Sequence, residues 1–173
     1  MHTGLGSRRP SLPLLGIIVL AVVGLLIGDR RAPRAAGTDP TLFLTSVEAF
    51  ATASGARTVT VDGTFSFDDL VQFSFPAGLL VLQGDRFVRF DFSGTVSAGN
   101  SPLVVNGVTA PEIPTLLGSG TPAAAPAALL NVQPDRIMAT LPPGFSPGAA
   151  SVLVFTVIGG DAFVSNTLAV TLP

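Results

Sequence analysis

The chain has 173 residues, of which 47% are apolar and only 12% charged, about half the usual charged share of roughly 25%. It contains no Cys, Trp, Tyr or Lys, and its single histidine is His2. That excludes disulfides, thiolate metal sites, cysteine nucleophiles and lysine Schiff bases, and leaves a His-dependent triad no base beyond the N-terminal segment.

In chain order, Arg8 and Arg9 precede an apolar run over 12–27, interrupted by Pro13, Gly16 and Gly24. At 16 residues the run falls between a signal-peptide core of about 7–15 and a spanning helix of about 20. Either way, an apolar helix enters a membrane with its basic end held at the cytoplasmic face. Cleavage after Ala36 would put Arg34 at the −3 position, and cleavage after Ala35 would put Pro33 there, neither of which suits a processing enzyme. Arg30, Arg31 and Arg34 follow the run directly. Residues 1–36 are expected to be a signal peptide or an uncleaved signal anchor, and 37–173 an extracytoplasmic part: secreted, periplasmic or held at the cell surface. The stretch Ser7-Arg8-Arg9-Pro10-Ser11-Leu12 loosely resembles a twin-arginine signal. No Cys follows it, so a lipoprotein anchor is excluded.

From Gly37 onward, Arg57, Arg86, Arg89 and Arg136 stand against ten acids, a formal charge of −6. Without a basic stripe, nucleic-acid binding is excluded. The same charge argues against attachment to anionic lipid, leaving the N-terminal segment as the membrane contact.

Strand patterns dominate the exported part. Thr58-Val59-Thr60-Val61 alternates, and after Asp62-Gly63 the alternation resumes in Thr64-Phe65-Ser66-Phe67. Asp-Gly between such runs marks a turn, or a bulge within one bent strand. Further runs cover 71–75, 87–92, 103–105, 129–132, 137–141, 151–158 and 163–172. Turn residues separate them at Pro76-Ala77-Gly78, Gln83-Gly84-Asp85, 97–101, Pro142-Pro143-Gly144 and Gly159-Gly160-Asp161. Eight to ten short strands at this spacing predict an all-β fold, a β-sandwich. Upstream, Asp39-Pro40 could cap a short helix carrying Phe43, Val47 and Phe50; the competing reading, a first strand over 42–47, is preferred. The Pro/Ala/Gly/Thr-rich stretch 111–126 reads as a loop or linker.

The most specific residues are C-terminal: Leu129-Leu130-Asn131-Val132, then 134–144 with Ile137, Leu141 and Pro143-Gly144, then Val152-Leu153-Val154, and Ser165-Asn166 before Leu168. This stretch, 129–173, resembles the second half of an IPT/TIG domain, which has an immunoglobulin-like fold and a last strand entered through Ser-Asn. Thr45-Ser46-Val47, Ser54-Gly55 and 58–65 resemble that family's opening, which is why the strand over 42–47 is preferred. The resemblance implies an immunoglobulin-like sandwich over 37–173. Far more residues lie between the two matching stretches than the family has there. That implies either an insertion around 79–126, with 87–92 and 103–105 enlarging one sheet, or a separate upstream sandwich.

Candidate chemistry rests on carboxylates. Asp68-Asp69 with Asp62 or Asp91 would suit calcium, a hard cation that takes carboxylate oxygens, although no D-x-D-x-D-G loop exists. Asp85, Asp91 and Glu112 are the nameable acids for glycoside hydrolysis. Arg86 and Arg89 with Asp85 and Asp91 are expected to form outward surface pairs. No residue is singled out as catalytic, cofactor-binding or metal-ligating, and no cofactor is expected. The expected function is a non-catalytic structural, adhesive or protein-interaction module. Alternatives are a carbohydrate-active or carbohydrate-binding protein using carboxylates, and a subunit of a surface fibre or layer. Expected partners are other surface proteins, or a second copy joined through an edge strand.

Overall fold

The computed structural model describes residues 41–65 and 76–173. The leader 1–36, the Asp39-Pro40 pair, the strand expected over 71–75 and the Asp68-Asp69 pair lie outside the described residues. The strands are β1 (Leu42–Ala51), β2 (Arg57–Phe65), β3 (Ala77–Gln83), β4 (Arg86–Asp91), β5 (Val96–Asn100), β6 (Thr121–Pro122), β7 (Ala128–Val132), β8 (Arg136–Thr140), β9 (Gly148–Ile158), β10 (Asp161–Val164) and β11 (Leu168–Leu172). Three short helical pieces join them: α1 (Pro102–Val105), a 3-10 turn (Ala110–Glu112) and α2 (Ile113–Leu117).

Two antiparallel sheets form an all-β sandwich. One has the order β1-β2-β8-β7, the other β10-β9-β3-β4-β5-β6. β11 pairs with the first half of β9, Gly148 to Val152, on the edge that β10 occupies from Phe155 to Ile158. Alternation puts Val59, Val61, Phe65, Ile137 and Ala139 of the smaller sheet against Leu79, Val81, Val88, Phe90, Val152 and Val154 of the larger one, all buried.

Asp62-Gly63 makes no turn. β2 runs straight through it, and the irregularity sits opposite, in β1, where Thr45 is an extra residue between the pairs Leu44–Gly63 and Ser46–Asp62. The bulge resets parity, so that Leu42 and Leu44 before it and Val47 and Ala49 after it all face the core. Gly63 is required here because a Cβ would collide with the carbonyl oxygen of Phe43.

Three expectations are corrected. First, Ala77–Gln83, whose start reads as turn chemistry, is a strand at the middle of the larger sheet. Its run Leu79-Leu80-Val81-Leu82 does not alternate because both faces are covered. Likewise β5 takes residues that read as a turn over 97–101.

Second, 103–105 is helical. Pro102 fits the first helical position, and the Ser101 hydroxyl accepts the Leu103 N–H at 3.3 Å. This local cap overrides the β-propensity of two valines.

Third, 111–126 is more than a linker. The Glu112 carboxylate accepts from the Thr109 N–H at 2.9 Å and from its hydroxyl at 3.1 Å, closing a capping box. The helix that follows lays Ile113 and Leu116 on the outer face of the larger sheet. There a second apolar cluster unites Leu80, Leu82, Phe87, Leu153 and Phe155 with Val104, Ile113 and Leu116. The α1–α2 segment is thus a third layer, and burying side chains of this kind contributes about 1.5–3 kcal/mol each. No helix among the described residues is long and apolar enough to cross a membrane.

Candidate functional site

The acids singled out by the sequence do not converge. Asp62 lies on the outer face of the smaller sheet, 2.6 Å from the Arg136 guanidinium, and accepts the Ser46 hydroxyl at 2.9 Å. The Arg136 hydrogen bond, helped by Ser46, holds its carboxyl below the usual value of 3.8. Asp91 lies on the outer face of the other sheet, so the whole sandwich separates the two. Asp85 lies in the turn just before β4 and Asp91 ends it, about 20 Å apart at strand rise. Glu112 is engaged in its capping box. Among the described residues no three His, Cys, Asp or Glu side chains gather closely enough to hold a metal ion.

The expected outward pairing of Arg86 and Arg89 is also corrected. Arg89 is buried, its neighbours Val88 and Phe90 point into the core, and α2 closes over it. Its Nε lies 3.0 Å from Asp91, and its Nη1 donates to the carbonyls of Leu116 at 3.0 Å and Leu117 at 2.7 Å. A cation thus meets the C-terminal carbonyls of a helix, where the dipole favours it. Burial pushes the Asp91 carboxyl above its usual value even though Arg89 pulls the other way. Arg86 remains exposed, and its Nη1 donates to the Gly144 carbonyl.

Several polar side chains stand in for missing backbone. Between β10 and β11 the Ser165 N–H donates to the Val154 carbonyl, and the Ser165 hydroxyl accepts the Val154 N–H, both at 2.9 Å. The next side chain, Asn166, pairs like a peptide group with Leu44 of the opposite sheet, accepting its N–H at 2.7 Å and donating to its carbonyl at 3.0 Å. At the other end Gln83 does the same for Ser146, at 2.9 and 2.8 Å. Arg57 donates to the carbonyls of Pro173 at 2.6 Å and Phe145 at 2.9 Å. The Ser-Asn dipeptide was a sequence signal for the first pair; nothing in the sequence marks Gln83 or Arg57.

Concavities open on this framework among the described residues. A groove of about 450 Å³ runs between the α1 segment (Val104, Val105, Val108) and a floor of small residues on β9 and β11 (Ala149, Ser151, Ala169). It has no charged lining residue, so it can bury an apolar segment. A smaller recess of about 210 Å³ lies where β4 and β5 meet the β8–β9 loop, and it contains Arg86 and Asn100. No family model matches the sequence, and a search of curated proteins finds no relative.

Proposed function

We propose that the chain is an exported, non-catalytic module of immunoglobulin-like, IPT/TIG-type architecture with a structural, adhesive or protein-interaction role. One observation carries the reading: Asp62, Arg89, Asp91, Ser165 and Asn166 join strands to one another or to the helical layer instead of converging on a cavity. Strand order supports the immunoglobulin-like part. β1-β2-β8-β7 follows the A-B-E-D order, and β9-β3-β4-β5 follows F-C-C′-C″ of a variable-type domain, with β11 in the place of G. The stretch around 79–126 supplies β4, β5, β6 and the helical layer to one sheet. Ser165-Asn166 stands where the family resemblance expects its Ser-Asn.

The test is cell fractionation of the full chain carrying a C-terminal tag, with protease added to intact cells or spheroplasts. Export predicts a tag cleaved from outside the cytoplasmic membrane; a tag protected in the cytosol refutes the reading. Turnover of any substrate in a glycoside-hydrolase panel would refute the non-catalytic part. A second reading, homotypic assembly, is favoured by the edge strand β7, which carries no charge and leaves Leu130 54% exposed. Sedimentation that stays monomeric at high concentration would refute it.

A further inference from the structure

We propose that the recess at the β4–β5 end binds a carboxylate borne by a single residue of a partner chain. The inference deepens the interaction-module reading and rests on it for the nature of the partner. The argument begins with the arginines. Arg89 is buried on Asp91, Arg136 is paired with Asp62, and Arg57 donates through Nε and Nη1 to two carbonyls. Arg86 is exposed, and among the described residues it commits only Nη1, to the Gly144 carbonyl. Nε and Nη2, the fork that fits a carboxylate, make no hydrogen bond to the described residues. The loop is shaped for the Nη1 contact: Gly144 has φ +101°, and a Cβ there would stand 2.6 Å from Arg86 Nη1.

The surroundings define the rest of the ligand. Asn100 is the direct cross-strand partner of Arg86, so an amide donor stands beside the cation. The other lining residues, Phe87, Ala98, Gly99, Pro142, Pro143 and Phe145, are uncharged. A volume of about 210 Å³ is below the roughly 300–1,000 Å³ of drug-sized sites. It suits one residue: an anionic head on Arg86 and Asn100, and a short apolar body against the prolines. Either a C-terminal carboxylate or an Asp or Glu side chain supplies that chemistry.

The test titrates short peptides into the ¹⁵N-labelled full chain in non-ionic detergent. The signals followed are the amides of Asn100 and Gly144 and the Arg86 Nε–H. N-acetyl-Ala-Val with a free carboxylate probes the chain terminus, its carboxamide is the control, and an N-acetyl-Glu carboxamide probes the side chain. We expect at least one acid to bind with Kd of order 1 mM, as suits so small a ligand, and the Ala-Val carboxamide to give no shift. The stronger acid identifies the source. Arg86→Gln should weaken binding about tenfold or more, and Arg136→Gln should leave it unchanged. Asn100→Asp keeps Arg86 and its loop contact but sets a fixed carboxylate opposite the guanidinium, and should abolish binding even if Arg86→Gln fails to fold. Absence of shifts with both acids, equal binding of the Ala-Val carboxamide, or retention of affinity in Asn100→Asp overturns the proposal. Because the probes report on the recess alone, such a failure is distinct from a failure of export.

Discussion

Replacing Asn166 by alanine removes both bonds that tie β1 to the start of β11. Leu44 is 1% exposed, so its N–H and carbonyl, now satisfied at 2.7 and 3.0 Å, would find little water. An unsatisfied buried polar group costs about 1–3 kcal/mol. With two such groups in a partly buried setting, Asn166→Ala should destabilise the fold by about 2–4 kcal/mol. For a domain of this size that lowers Tm by about 8–15 °C. The assay is denaturant unfolding followed by far-UV circular dichroism, with hydrogen exchange at the Leu44 amide as the local probe. Ser46→Ala, which removes an exposed bond to Asp62, is the control and should cost under about 0.5 kcal/mol. Asn166→Asp keeps the acceptor for the Leu44 N–H but sets an anion against its carbonyl. It should be destabilising at neutral pH and recover on acidification, as protonation restores a donor. A change under about 0.5 kcal/mol in Asn166→Ala, or unaltered protection at Leu44, would refute the idea that this side chain acts as backbone.

Arg89→Ala leaves a half-buried carboxylate and two helix-end carbonyls without their donor, and should cost about 2–4 kcal/mol. It should also raise hydrogen exchange in 101–117 before the rest of the chain, whereas the double change Arg89→Met/Asp91→Leu should restore most of the loss. Gly63→Ala should cost about 1–3 kcal/mol through the clash with the Phe43 carbonyl, seen as a lower denaturant midpoint. The pH dependence of Tm should carry two opposed contributions. Asp62, lowered below 3.8, gives stability that is present above that value and lost as pH falls through its lowered pKa. Asp91, raised above 3.8, contributes most at low pH and progressively less as pH rises through its raised pKa. Asp62→Asn should flatten the acid-side loss and Asp91→Asn the decline above it; an identical Tm profile in either variant over pH 2–6 would contradict the assignment of that group.

The smaller sheet was legible because its strands obey the simplest rule. Each has one face in water, so Thr58-Val59-Thr60-Val61 and Arg136-Ile137-Met138-Ala139 alternate in the letters. The larger sheet hid its central strand for the converse reason. A strand covered on both faces needs no alternation, and Leu79-Leu80-Val81-Leu82 between two glycines reads as well for a loop margin as for a strand. What covers its outer face came from the stretch least expected to pack. Within 102–117 the prolines begin short helices, and Val104, Ile113 and Leu116 are too widely separated to show a period. The burial of Arg89 is hidden in the sequence because a charge between Val88 and Phe90 looks like a solvated position. Only tertiary structure reveals that a helix end lies over it. The polar stitches were partly visible: Ser165-Asn166 stood out through the family resemblance, while Gln83 and Arg57 owe their roles to long-range pairing across 63 to 116 residues.

The Ser165-Asn166 stitch occurs where the backbone ladder is interrupted, and this links the chain's composition to its architecture. Without cysteine, the two sheets must be joined by packing and hydrogen bonds alone. Packing is non-directional and tolerates sliding of one sheet over the other, whereas hydrogen bonds fix position. The last strand is broken at Ser165-Asn166 because β10 and β11 share one edge of β9 but leave it at different points. A break exposes unpaired backbone groups, which are costly once buried. Ser165 returns one pair to β9, and Asn166 carries the pairing across to Leu44, at the residue where the β1 bulge leaves the regular register. Two irregularities thus satisfy each other, one in each sheet. Pairing Thr45 into the ladder would shift Leu44 by one position, turn its side chain out of the core and separate it from Asn166. Deleting Thr45, by contrast, takes out the extra residue and leaves Leu44 opposite Gly63 and Ser46 opposite Asp62, so the core-facing set and the Asn166 bonds are kept, and the deletion should cost less than Asn166→Ala.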